Sequence, residues 1–595
     1  MAHLYGFQSV AFKAAVATAK EHRDTLMEKP GVVGVRAGYR VVNRWVTTTP
    51  AVVVSVNRKK LPAELSEDER VPEEVGGVPT DVAPASAREI RAAEKKEEAD
   101  NLDTADAAAD AAPGILEDVT LDESAAGVGK SMDSPAADAA HKTRYEKPSH
   151  LSLKEFPPEP DGTLEVLCHA GPDAGWPKLS EFLSETERKL TIAIYDFKAP
   201  HIIRAIKDAK PAGLELIIDP GLTEPERAAL EELSEDLDIK PGLDVVLASV
   251  SNAKGKEGVF STAYHTKVVV RDGRAFWLSS GNMSPSSQPD ADPFKSANAG
   301  AGLHKRANRE YHVIVPHEGL ARTLEQYIEW DRKLSRQFPT HTLKPAGGGN
   351  ADNVDADDSD AGGLAVAARI ERPDLLIARD AYEAFFAADA ADVAAPPPRF
   401  FKPEWITLRR EAGDYALPLL TQDNYIEKIT ELVRGAEKKL YLQFQYVRLR
   451  GDTPDEFRQV ILLLKEKIDK KLDVRVIIGH HDVRRDLENL VGIELDISHF
   501  KVQVNCHNKT LLVDDRFVTV GSQNWSGDGT TRNRDASILF RSKAVYDYYE
   551  RIFIHDWERL ASQDIREGLT PMPAEADAPT PDGMLRLGWY DVYDE

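Results

Sequence analysis

The 595-residue sequence predicts an α/β protein: two similar α/β lobes, a small α/β domain ahead of them, and acidic linkers between. Three observations carry this reading. Strand-like runs alternate with amphipathic helix-like runs in two large blocks. The two blocks repeat one order of segments, 242 residues apart at their most similar stretches. Stretches rich in Ala, Asp, Gly and Ser separate the blocks. A chain of this length exceeds one core, so several domains are expected.

Residues 1–85 read as the small domain. Val10–Met27 has helical spacing, and GVVGVRAGYRVV and AVVVSVNRKK are β-branched runs bounded by Gly, Pro and Asn. Residues 86–147 read as an acidic, Ala-rich linker. Its start, ASAREIRAAEKKEEAD, reads as a solvated helix, and the remainder has too few large apolar residues for a core. Residues 148–344 are the first lobe, 345–363 a Gly/Asp linker, and 364–595 the second lobe. In the first lobe the helix WPKLSEFLSETERK leads to the strand LTIAIYDF; in the second, NYIEKITELVRGAEK leads to LYLQFQYV. LELIID then matches DVRVIIG. Each lobe ends with a strand and a Trp-bearing helix, carrying Trp330 and Trp557.

Between those parts lies the same polar pattern twice. HTKVVVRDGRAFWLSSGN carries His265 and Lys267, and CHNKTLLVDDRFVTVGSQNW carries His507 and Lys509. On a strand, residues two apart share a face, so each His–Lys pair is expected to point one way. Asp272-Gly273 and Asp514-Asp515 read as hairpin turns, which makes these aspartates structural. A hairpin returns Ser280 and Asn282, or Ser522 and Asn524, beside the histidine of the same lobe. An Asn-Arg-acid tripeptide follows in each lobe, ending in Glu310 or Asp535. A single His-x-Lys is ordinary surface decoration, but the full pattern, present twice, is specific.

Two such lobes face to face offer two imidazoles, two ammonium groups, two hydroxyls and two carboxamides. That set suits a phosphodiester. The lysines and asparagines hold non-bridging oxygens and stabilise transition-state charge. One neutral imidazole attacks phosphorus to give a phosphohistidine. The other donates a proton to the leaving alcohol and then deprotonates water. The lysines supply the positive charge, so no metal or other cofactor is called for. Glu310 and Asp535 are expected to fix the tautomers of the two imidazoles.

At these residues the sequence resembles the phospholipase D superfamily, also called the HKD family, over roughly 160–340 and 398–562. The resemblance implies a bilobal, two-motif arrangement with one site at the interface and the phosphohistidine route. It also implies that His265 attacks and His507 protonates. Ser280 and Ser522 are carried over as substrate-binding residues. One position departs: Ser279 stands where the family has Gly, and the expected effect is a small change in the turn. Residues 1–85 resemble a small module found ahead of trypsin-like domains in some bacterial proteins. No Gly-x-Ser-x-Gly or other protease constellation accompanies it, so docking or dimerisation with an unidentified partner is the expectation.

Bulk properties narrow the substrate only partly. Net charge is −24, of which residues 99–140 supply −9 and 345–363 supply −5. The remaining −10 weighs against a polyanion but leaves room for a basic groove. A nuclease acting on DNA or RNA therefore stays open beside a phospholipid substrate. Two cysteines, Cys168 and Cys506, speak against a disulfide framework and suit a cytoplasmic location. No apolar run is long enough for a transmembrane helix. A lipid substrate leads one to expect an apolar trench, with Phe197, Phe276, Trp277, Phe444 and Trp525 as candidates. The basic stretch His304-Lys305-Arg306, in a loop longer than its second-lobe counterpart, and Arg484-Arg485 are candidate phosphate contacts. Adjacent His480 and His481 point apart and do not make a metal site.

Overall fold

The computed structural model describes residues 7, 9–57, 59, 65–86, 89–90, 143–160, 162–222, 224–236, 243–251, 256–295, 302–341, 375–378, 399–479, 483–565, 572–574, 579–581 and 584–587. Most of the two linkers expected at 86–147 and 345–363 therefore lies outside the described residues, as do His480 and His481.

Two large mixed sheets form the framework, and they share a strand order. The first runs Leu164–Gly171, Glu310–Val315, Ala275–Ser279, Lys267–Arg271, Lys189–Ile194, Gly213–Ile218, Leu243–Leu247. The second runs Tyr415–Leu420, Ala536–Arg541, Phe517–Gly521, Lys509–Val513, Lys439–Phe444, Asp473–Ile478, Phe500–Val502. In each, parallel strands follow helix crossovers, and antiparallel hairpins fill the side that carries the motifs. The sequence reading set the boundary of the second lobe at residue 364, but Glu404–Leu408 pairs with Leu164–Cys168 and extends the first sheet. That edge strand crosses over because its alternating residues, with Ile406 and Leu408 buried, complete the first lobe's core.

The sheets meet through a common apolar core. Phe276, Leu278, Val313 and Val315 of the first pack with Val518, Val520, Ile538 and Phe540 of the second. The long helices Glu318–Gln337 and Lys543–Arg559 close the same core. Each fully buried aliphatic or aromatic side chain here contributes about 1.5–3 kcal/mol. The outer face of each sheet is covered by its own helices, among them Gly175–Ser184 and Pro200–Ala209, or Tyr425–Gly435 and Asp455–Asp469. All five aromatic residues expected to line a trench belong to these cores and are fully buried. Phe276, Trp277 and Phe444 on strands, and Phe197 and Trp525 just beyond strand ends, all pack inward, so they do not form an open apolar channel.

The N-terminal unit is a four-stranded sheet covered by helices Val10–Glu21 and Arg23–Met27. The single helix expected over Val10–Met27 breaks at His22, whose backbone leaves the helical region. This unit docks on the second lobe at helix Val483–Gly492. Arg36 pairs with Glu488 at 2.5 Å and Arg484 with Asp81 at 3.0 Å. Phe12, Tyr39 and Val46 join the second lobe's core, and the ring of Phe7 lies where a side chain at Gly492 would be. Arg484 thus faces the N-terminal unit rather than a substrate groove. No helix among the described residues is long and apolar enough to cross a membrane.

The two motif aspartates hold the hairpins to the sheets. Asp272 and Asp514 adopt φ of 56° and 53°, a left-handed conformation that Asp tolerates better than most residues. The Asp272 carboxylate accepts the main-chain N–H groups of Glu187, Arg188 and Lys189 at 2.8–3.1 Å. Asp514 accepts those of Glu437, Lys438 and Lys439 at 2.8–2.9 Å. Asp514→Ala is expected to lower stability by about 1–3 kcal/mol through lost charge-assisted hydrogen bonds, read from urea unfolding, while Asp514→Asn loses less.

Candidate active site

The two motif histidines stand just ahead of their strands, not on them. The strands begin at Lys267 and Lys509. The segments before them cross to the other lobe. Tyr264 bridges in parallel with Arg534, and Cys506 with Arg309. The His265 N–H donates to the Arg534 carbonyl at 2.7 Å, and the His507 N–H to the Arg309 carbonyl at 3.3 Å. Side chains cross in the same sense. His265 Nδ1 lies 2.7 Å from Asp535 Oδ1, and His507 Nδ1 lies 2.7 Å from Glu310 Oε1. Each imidazole of one repeat is thus held by the acid of the other. All four groups are buried. A carboxylate accepting at Nδ1 places a proton on that nitrogen.

The carboxylates are held in turn. Ser522 Oγ donates to Asp535 at 2.8 Å, and Ser280 Oγ donates to Glu310 at 2.6 Å. Each serine also accepts a main-chain N–H, from Ala536 or Tyr311, at 3.0 Å. The two hydroxyls, expected to bind substrate, are engaged in this framework because each follows a strand paired with the strand at whose start the acid stands. Glu310 gains one more donor, Ser287 Oγ at 2.9 Å, from the long loop. The backbone of that loop's basic end is tied down, the His304 carbonyl accepting from Asn505 at 2.6 Å.

The lysines are buried against the histidine backbones. Lys267 Nζ donates to the His265 carbonyl at 2.9 Å, and Lys509 Nζ to the His507 carbonyl at 2.7 Å. Lys509 Nζ also lies 3.1 and 3.3 Å from the two ring nitrogens of His507. A buried ammonium needs such oxygen and nitrogen neighbours. Asn524 donates to Gln445 at 3.3 Å, and Asn282 is buried at the matching place. Tyr195 meets His265 edge-on at 4.8 Å, with the Lys267 ammonium 5.0 Å from its ring centre. Tyr195 and Gln445 follow equivalent strands, so aligning LTIAIYDF with LYLQFQYV would have found both.

Residues 429–557 match the family model described as "Cardiolipin synthase, PLD-like domain". The matched stretch, which lies in the second lobe, is thus similar to a phospholipase D-like domain. No curated protein matches its sequence. Among solved structures it is similar to phosphatidylserine synthase of Haemophilus influenzae Rd KW20, with 13% identity over 70% of this chain and 91% of that one, at a TM-score of 0.44. NucT of Helicobacter pylori matches 29% of this chain and 97% of its own at 18% identity and TM-score 0.22. The phospholipase D family member Nuc of Salmonella typhimurium matches 24% and 96% at 12% identity and TM-score 0.20.

The one departure from the superfamily's motif has a packing cause. Gly521 is not in a left-handed conformation. Its missing side chain makes room for Ser537, its cross-strand partner. In the first lobe the partner of Ser279 is His312, itself paired with His169. Ser279 Oγ lies 2.7 Å from His312 Nδ1, and the two imidazole centres are 4.9 Å apart. The second lobe has Leu419 where the first has His169. The departure is therefore a three-residue exchange rather than a change of turn.

Burial pushes the His169 imidazole down to about 3, against the Ala174 carbonyl contact that raises it. Burial, then His169, holds His312 well below the usual range. The unfolded chain therefore takes up these protons first as pH falls. The contribution of the two histidines to stability is constant above about pH 7 and falls below about 6.5, by about 2 kcal/mol at pH 5 for His169 and in the same direction for His312. The variant Ser279→Gly/His169→Leu/His312→Ser, which copies the second lobe, is expected to show a smaller shift of urea midpoint between pH 7.5 and 5.

Proposed function

We propose that this chain is a metal-independent phosphodiesterase of the phospholipase D type, acting on a phospholipid by hydrolysis or transfer. The observation that supports it is the crossed pair of contacts, His265–Asp535 and His507–Glu310, both at 2.7 Å. Two imidazoles, each with Nδ1 held by a carboxylate, beside Lys267, Lys509, Asn282 and Asn524, make a complete set for a double displacement at phosphorus.

The steps follow from that set. His265 Nε2 attacks phosphorus as the bond to the leaving oxygen breaks, giving a phosphohistidine. Protonated His507 gives its Nε2 proton to that oxygen. Water or an alcohol then loses a proton to His507, attacks phosphorus and breaks the P–N bond, so both imidazoles return to their starting states. The ammonium and carboxamide groups carry the added charge on the phosphoryl oxygens. Asp535 and Glu310 keep each ring in one tautomer and offset its charge when it is cationic.

The phospholipid preference draws support from the −10 charge left outside the acidic stretches, which disfavours long polyanions. The test is parallel incubation with phosphatidylcholine micelles and single-stranded DNA in EDTA. Headgroup release is expected, and His265→Ala and His507→Ala are each expected to reduce it at least about 10³-fold. DNA cutting alone would transfer the protein to the nuclease reading. Full turnover in either alanine variant would sink the shared site.

A further inference from the structure

The arginines of the two Asn-Arg-acid tripeptides have no part in the chemistry above. Both are almost completely buried, at 3% and 1% side-chain exposure for Arg309 and Arg534. Each guanidinium joins one carboxylate from each lobe. Arg534 lies 2.8 Å from Asp331 on the first lobe's long helix and 2.6 Å from Asp423 of its own lobe. Arg309 lies 2.9 Å from Asp556 on the second lobe's long helix and 2.6 Å from Asp173 of its own lobe. The two clusters are counterparts: Asp331 matches Asp556, and Asp423 matches Asp173. Each guanidinium also donates to a main-chain carbonyl at 3.0 Å, Thr421 for Arg534 and Gly171 for Arg309.

The main chain of the same arginines carries the other lobe's histidine. The Arg534 N–H donates to the Ala263 carbonyl at 3.1 Å, and its carbonyl accepts from His265. The Arg309 N–H donates to the Asn505 carbonyl at 2.8 Å, and its carbonyl accepts from His507. The next residue in each case is the acid that holds that histidine's Nδ1. A side chain locked at both ends thus fixes the two main-chain groups and the carboxylate on which one imidazole rests.

We propose that Arg534 and Arg309 are crossed positioning residues: Arg534 of the second lobe sets the geometry of His265, and Arg309 of the first lobe sets that of His507. The proposal rests on the reading of those histidines as the reacting groups. A planar fork spans two carboxylates at a defined angle, which a single ammonium cannot do. Lysine at either position keeps the charge and loosens one histidine only. A displacement of about 1 Å at a reacting group lowers turnover about 10²-fold.

The test is proton NMR of the full chain labelled with ¹⁵N-histidine, read without substrate. The two downfield Nδ1–H resonances are assigned with His265→Asn and His507→Asn. Arg534→Lys is expected to shift or broaden the His265 resonance and leave that of His507. Arg309→Lys is expected to do the reverse. With a diester substrate, kcat falls about 10²-fold while KM stays within about threefold. Each lysine variant also displaces one limb of the pH–rate profile. Folded variants with both resonances in place, or with both lost alike, would overturn the proposal. If a lysine variant fails to fold, Arg534→Gln/Asp331→Asn removes one charge of each sign and leaves the cluster's net charge unchanged, and the same one-sided effect on His265 is required of it. A crossed NMR pattern with no turnover of either diester would retain the positioning role and remove the phosphodiesterase reading.

Discussion

The site depends on an exchange between repeats: the imidazole of one lobe hydrogen-bonds to the carboxylate of the other, twice. A buried carboxylate without a donor carries a large desolvation cost, and so does a buried imidazolium without an acceptor. Neither lobe can meet these requirements alone. The shared core of the two sheets brings the lobes together, and the crossed hydrogen bonds fix how they register. Packing supplies the attraction and the polar network supplies the alignment. The rest of the site follows, since Ser280 and Ser522 hold the acids, and Lys267 and Lys509 rest on the histidine carbonyls.

Much of this was legible in the residues. The repeated order of helix and strand, the doubled motif and the hairpin aspartates were all readable, because period-two alternation and turn chemistry are local properties. Pairing across the lobes was not. Glu310 lies 45 residues after His265 and 197 before His507, and spacing alone favours the wrong partner. The offset of each histidine from its strand was also hidden, because His-x-Lys reads as strand whether pairing starts at the first residue or the third. The aromatic residues failed as trench candidates for a related reason. A strand buried on both faces shows no alternation that separates lining from core.

The repeats are alike in framework and unlike in detail. Tyr195 faces His265 where Gln445 occupies the corresponding place, and the Ser279–His312–His169 group replaces Gly521, Ser537 and Leu419. Glu310 receives a serine from the long loop in addition to its hairpin serine, Ser280. These differences give two histidines of common origin unequal surroundings. A double displacement needs one ring neutral and the other charged, and unequal surroundings bias which ring takes which state.

The seat of the N-terminal unit bears on how far the protein can be trimmed. Helix Val483–Gly492 presents Leu487, Leu490 and Val491 to a core that also takes in Phe12, Tyr39 and Val46. Glu488, held below the usual carboxylate range against the pull of burial by Arg36 and then Arg484, belongs to the same contact. Cutting the chain back to its two lobes would bare this patch and strand a buried acid with half its partners. The shortened protein would be prone to self-association. Residues that look like an appendage in the linear order are, in three dimensions, part of the second lobe's wall.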